Sequence, residues 1–147
     1  MRLPTKQARK FNKVKFPVVK ACAGAILVKN NKILLTKRNV IPEKNKWCLP
    51  GGHIDIGEKA VEAIKRKVKE ETGLALKNPK FLFYFNSYIP KRKIHSIDLC
   101  FTGLVSGKEK LNKEVSEIKW LTKKQALKLN LSFNHRKMIN KFLKIER

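Results

Sequence analysis

The stretch Val18 to Val28 (VVKACAGAILV) is apolar at both alternations, which predicts a strand covered on both faces. Asn30-Asn31 predicts a tight turn, because Asn tolerates positive φ. KILLTKR, Lys32 to Arg38, then returns as the partner strand. Residues 39–46 are polar and carry Pro42, so they predict a loop. WCLPGG, Trp47 to Gly52, predicts a short strand stopped by Pro and Gly. Gly57 ends the next loop and Glu58 opens a helix. In that helix Val61, Ile64 and Val68 recur at i, i+3 and i+7 as a buried stripe, and Gly73 supplies the C-cap. FLFYFNSY, Phe81 to Tyr88, predicts a buried strand. Ile97, Leu99 and Phe101 alternate with Asp98, Cys100 and Thr102 in another. Val115 to Leu121 predicts a third, with Ile118 and Trp120 opposite Glu117 and Lys119. Thr122 and Gln125 form a capping box for a short helix reaching about Leu129. Met138, Ile139, Phe142 and Leu143 give a closing helix its apolar face.

This order, a hairpin, a loop and helix, several strands and then C-terminal helices, predicts an α/β fold with a mixed sheet packed between helices. At 147 residues and 42% hydrophobic content the chain suits one domain, expected over residues 17–147 behind a basic arm over residues 1–16. No apolar run approaches the ~18–20 residues of a membrane span, so no membrane partner is expected. The N-terminal stretch lacks a secretory h-region. It is basic and acid-free, but it is poor in Ser and dominated by Lys, which argues against a transit peptide. Cys22, Cys48 and Cys100 match neither a zinc spacing nor a disulfide framework, which predicts reduced, buried thiols in a cytoplasmic protein.

Charge changes the picture more. A net charge of +24 draws polyanions. The basic residues are mostly Lys, however, spread along the whole chain and seldom interleaved with aromatics, whereas phosphate and base recognition prefers Arg. That pattern favours solvated lysine faces over a dedicated nucleic-acid surface.

The chemistry concentrates in Gly52 to Leu74, GHIDIGEKAVEAIKRKVKEETGL. Positions 67, 70 and 71 are i, i+3 and i+4, so they line one helical face beside the apolar stripe. Gly51 and Gly52 let the preceding backbone pass close and offer a carbonyl to a cation. Read plainly, this could be a solvated helix in which Arg66 pairs Glu62 and Glu70. The full spacing, G-x5-E-x7-R-K-V-x-E-E-x-G-L, resembles the signature of the Nudix hydrolases, G-x5-E-x7-R-E-U-x-E-E-x-G-U with U a bulky aliphatic, at every fixed position except Lys67. The hairpin ending in LLTKR, the W-x-L-P-G-G approach, the strand carrying Trp120 and the SFNHR segment extend the resemblance over about residues 17–144. It implies the Nudix α/β/α sandwich and a protein often dimeric, with monomer and homodimer both open. It also implies hydrolysis of the pyrophosphate in a nucleoside diphosphate linked to another moiety, with Mg²⁺, or Mn²⁺ in its place.

By the same resemblance, Glu70, Glu71 and Glu58, helped by the Gly51 carbonyl, would hold the metal. The family's glutamate at position 67 is a ligand and in several members the base. Lys67 reverses that charge next to two glutamates. At about 4 Å and an effective dielectric of ~20, each contact amounts to at most ~4 kcal/mol, so the ammonium competes with Mg²⁺ as an internal counterion. Three readings follow: another base, from Glu58, Glu114 or Glu117; a module that binds a nucleotide or ADP-ribose-like ligand without turnover; or an inactivated copy of an ordinary enzyme. An RNA-directed protein, acting on capped or triphosphorylated ends, is a further alternative. Arg38, Trp47, Tyr84 and Tyr88 are the candidates for substrate contact. His53 could face substrate, His95 lies in a basic turn with Lys91, Arg92 and Lys93, and His135 with Arg136 is expected to anchor the last helix.

Overall fold

The computed structural model describes residues 18–146, and the basic arm over residues 1–16 and the start of the domain at residue 17 lie outside them. Strands β1 (Lys20–Ala25), β2 (Val28–Lys29), β3 (Lys32–Arg38), β4 (Trp47–Cys48) and β5 (Gly51–His53) precede helix α1 (Ala60–Thr72). Strands β6 (Ala75–Ile89), β7 (Ile94–Ser106) and β8 (Val115–Thr122) follow, then helices α2 (Lys123–Lys128) and α3 (His135–Ile145). One sheet has the order β5-β1-β7-β6, with β1 parallel to β7 and the other pairs antiparallel. A second sheet joins β2, β3 and β4, and β8 pairs with β3.

Helices cover both sides. Ile64 and Val68 of α1 pack with Ala23, Ala25, Leu27 and Leu34 in one core. Met138, Ile139 and Phe142 of α3 pack with Ile33, Leu35, Trp47, Phe83 and Cys100 in the other. The result is the mixed sheet between helices that the residue pattern predicts. No described helix is long and apolar enough to cross a membrane. Cys22, Cys48 and Cys100 are free thiols, with Cys22 half-buried and the other two buried.

Local chemistry sets the turns. Asn30 and Asn31 adopt φ of 51° and 63°, closing the β2–β3 hairpin. Gly73 caps α1 in the left-handed region at φ 79°. Thr122 and Gln125 form the capping box of α2.

Four expectations change. The first strand ends at Ala25, and a separate short strand starts at Val28. Trp47 to Gly52 splits at Leu49-Pro50, and the second piece continues through both glycines to His53. Helix α1 starts at Ala60 rather than Glu58. In it Val61 is 40% exposed, because it sits in the first turn ahead of the sheet, while Ala63 joins Ile64 and Val68 inside. Phe81 to Tyr88 is part of a long edge strand, so Phe83 and Ser87 face inward while Phe81, Tyr84 and Tyr88 are exposed. A run of aromatics reads as buried on both faces only when neighbours cover both faces, and an edge strand has one pairing partner.

Candidate active site

Helix α1 carries its carboxylates at graded depth. Glu71 lies i+7 from Ile64 and i+3 from Val68, so it shares their inward arc and is 6% exposed. The Lys67 side chain is 14% exposed and that of Glu70 is 46% exposed. Burial pushes the Glu71 carboxyl up to about 7, against the opposing pull of the Lys67 ammonium and of a 2.7 Å hydrogen bond from the Gly51 N–H. Gly51 makes that bond possible: a Cβ there would meet the Ala23 carbonyl oxygen at 2.4 Å, and its φ of 156° favours glycine. A Cβ at Gly52 would sit 2.7 Å from Lys67 Cε, so the second glycine gives Lys67 its room.

Lys67 lies among carboxylates. Its Nζ stands 3.6 Å from Glu70 Oε2 and 3.8 Å from Glu114 Oε2. Glu114 is brought there by a turn that Asn112 organises. The Asn112 amide oxygen accepts the N–H groups of Glu114 and Val115 at 2.8 and 3.0 Å, and its Nδ2 donates to the Glu70 carbonyl. Asn39 N–H adds a 2.8 Å bond to the Glu114 carbonyl.

The neighbouring Arg66 acts differently. It donates through Nε and Nη2 to both Glu58 oxygens at 2.8 and 3.0 Å and through Nη1 to Glu70 at 3.2 Å. Its Nη2 also reaches the His53 carbonyl at 3.2 Å. The Glu58 side chain is 4% exposed, and its hydrogen bonds raise the Arg66 pKa above the usual guanidinium range. Glu62, expected as an Arg66 partner, instead accepts the Lys59 N–H at the head of the helix.

These groups border a cavity of about 730 Å³, within the range of small-molecule sites. Lys67, Glu71, Glu114 and Gly51 lie at one end, and Arg38, Arg92 and Lys93 add positive charge. Arg38 is held by a 2.9 Å bond from Nε to the Pro42 carbonyl, with its guanidinium 5.0 Å from the Phe133 ring centroid. His135 forms part of the wall. Its Nδ1 accepts the Leu49 N–H at 2.9 Å, and burial with Arg38 nearby lowers its pKa to about 4, so the ring is neutral. That bond ties α3 to the strand preceding the glycines, and Arg136 donates to the Leu127 and Leu129 carbonyls.

Of the residues expected at the site, Gly51, Glu71, Glu114 and Arg38 line the cavity, and Glu70 reaches it through Lys67. Glu58 is turned to Arg66. Glu117 lies on β8 opposite Lys37 and is not part of the cavity lining. Trp47 is 7% exposed and belongs to the core, with the Lys37 and Lys119 ammonium groups over its ring. Tyr84 and Tyr88 lie on the outer edge strand, Tyr88 against His95 at 5.2 Å. His53 and His95 border the cavity. Asn112, Ser96 and Asp98 gave no motif signal.

The donor set suits a hard divalent ion in kind. Carboxylates of Glu70 and Glu114 stand within 4 Å of the Lys67 ammonium, and the buried Glu71 carboxyl on the same helix feels its charge. As they stand, no three Asp, Glu, His or Cys among the described residues converge tightly enough to hold a metal.

Comparison with known proteins identifies the family. The chain is 34% identical over 120 residues to an ADP-ribose pyrophosphatase of Methanocaldococcus jannaschii, covering 81% of this chain and 70% of that protein. It superposes on a MutT NUDIX hydrolase from Burkholderia pseudomallei with a TM-score of 0.74 and 26% identity, covering 84% and 97% of the two chains. The fold is also shared with the NUDIX domain of Shewanella oneidensis NrtR, solved in complex with ADP ribose, at a TM-score of 0.77 and 22% identity over 96% and 99% of the chains. The NUDIX domain family model matches residues 19–142, the span that holds both sheets, the carboxylate helix and the cavity, and the chain belongs to that family.

Proposed function

We propose that this protein hydrolyses the diphosphate bond of a nucleoside diphosphate linked to a second moiety, of the ADP-ribose kind. The observation that carries the reading is the Glu70 and Glu114 carboxylates on Lys67, with Glu71 beside them in the lining of a cationic cavity large enough for such a ligand. Arg38, Arg92 and Lys93 would attract and orient the diphosphate. Glu70, Glu71 and Glu114 would hold Mg²⁺ once Lys67 has moved aside. When bound, the ion neutralises diphosphate charge and lowers the pKa of water. Glu114, on the cavity wall and fixed through its backbone to Asn112 and Asn39, is the favoured base for that water. Glu58 acts indirectly, by fixing Arg66 and hence Glu70.

A second reading has its own support. Lys67 is largely buried and already supplies a positive charge among the carboxylates. A ligand could then be held without metal and without turnover. The two readings separate in one experiment. A panel of nucleoside diphosphate derivatives, ADP-ribose included, is incubated with and without Mg²⁺ or Mn²⁺, and products are measured for wild type and Lys67→Glu. The hydrolase reading expects metal-dependent release of two phosphate-bearing products by wild type. Binding without product in wild type, with turnover only in the variant, establishes the module instead. No binding and no product in either protein rejects both.

A further inference from the structure

The cavity has a second polar end, on the sheet floor away from α1. Asp98 of β7 is 8% exposed, and Ser96, two residues earlier, donates its hydroxyl to Asp98 Oδ1 at 2.9 Å. Both line the cavity together with Cys22 and Ser87. The strand register explains the grouping: Cys22 lies opposite Asp98 and Ser87 opposite Ser96. The Ser87 hydroxyl accepts from Asn134 Nδ2 at 2.8 Å, which leaves its own hydrogen to donate. Burial raises the Asp98 pKa, and the Ser96 hydroxyl and the Cys22 thiol pull it back down.

A buried carboxylate is costly to keep, and it has about four lone-pair sites to satisfy. A hydroxyl and a thiol leave acceptor capacity directed at the cavity. The Lys67 end has the opposite character. Gly51 pairs with Gly24 on β1, two residues along from Cys22, the partner of Asp98. Two strand spacings and two residues separate Gly51 from Asp98, or roughly 12 Å between Cα positions. That is the order of length spanned by a diphosphate and the ribose esterified to it. A phosphate is repelled by an acid on the floor. A pair of sugar hydroxyls matches it, because one carboxylate accepts two O–H groups, the arrangement by which acidic residues read ribose in dinucleotide sites.

We propose that Asp98, oriented by Ser96 and assisted by Ser87, is a ligand-binding residue that accepts hydrogen bonds from the hydroxyl groups of a ribose, so that the cavity selects ribose-bearing diphosphates. This deepens the proposed function and rests on it. The test is calorimetric binding in EDTA, where turnover is suppressed, using three probes. They are ADP-ribose, the same molecule lacking its ribose 2′-hydroxyls, and the hypoxanthine counterpart lacking the base amine. Wild type is expected to lose at least tenfold in affinity on removal of the hydroxyls and less than twofold on loss of the amine. Asp98→Asn, checked for an unchanged thermal midpoint, is expected to bind ADP-ribose at least tenfold more weakly and to discriminate the deoxygenated probe less than twofold. If wild type binds ADP-ribose but ignores the missing hydroxyls, the assignment of Asp98 falls while the proposed function stands, and the same holds if the amine carries the loss. If wild type binds none of the three in EDTA, the assignment of Asp98 falls, and the proposed function falls with it only if the Mg²⁺ assay also yields no product. The wild-type arms need no variant, so a misfolded Asp98→Asn does not shield the proposal.

Discussion

Two adjacent basic residues on α1 do opposite work. Arg66 makes short, directional bonds to Glu58, Glu70 and the His53 carbonyl, joining the helix to the loop before it. Lys67 makes none among the described residues: its ammonium stands 3.6 and 3.8 Å from two carboxylate oxygens, in a gap left by Gly52. A planar guanidinium with five donors can serve two carboxylates and a carbonyl at once, whereas an ammonium on a flexible stem is a movable point charge. One residue turn separates a structural clamp from a displaceable counterion.

The comparison is broken or sharpened by four measurements, taken from the largest expected effect to the smallest. Arg66→Ala is expected to cost about 3 kcal/mol in urea unfolding, because the buried Glu58 carboxylate loses its guanidinium. A loss below about 1 kcal/mol would show that Arg66 clamps no more firmly than Lys67.

The second concerns His135, another wall residue set by tight bonding. Its folded pKa, near 4, lies below the ordinary 6.5, so between those values the unfolded chain binds the extra proton and stability falls as pH falls. The expected loss from this group is about 2 kcal/mol between pH 7 and pH 5. Glu71, raised to about 7, has the opposite slope, losing its contribution as pH rises through that window. The check is therefore the difference between the stability curves of wild type and His135→Asn, and parallel curves contradict the assignment.

Third, Lys67→Glu is expected to raise Mg²⁺-dependent hydrolysis at least tenfold, or ~1.4 kcal/mol in barrier, the order of a general-base contribution. Equal turnover by wild type and variant would remove Lys67 as a brake. Last, Lys67→Met is expected to shift unfolding stability by less than about 1 kcal/mol, as for ion pairs without close hydrogen bonds. A cost matching that of Arg66→Ala erases the contrast between the two residues.

Much of this was legible in the chain. Asn30-Asn31, Gly73 and the Thr122–Gln125 box act within a few residues, so their turns and caps follow from local chemistry. The box spacing places the α1 carboxylates on neighbouring positions of one helix. The depth of each carboxylate was not legible, since Glu71 is buried and Glu70 exposed according to which side the sheet covers. Trp47 and Tyr84 show the same limit, because aromatic character says nothing about whether a ring meets the core or the outside of an edge strand.

Sequence alone determined the element order, the family and the charge reversal at position 67, because each is a property of residue type and spacing. The partners of that charge came only with tertiary structure. Glu114 lies far along the chain and reaches Lys67 through the Asn112 turn, and Asp98 meets Cys22 through a parallel strand pair. Contacts between distant segments depend on how sheets and helices close on one another, and that packing carries no local periodicity for a sequence to display.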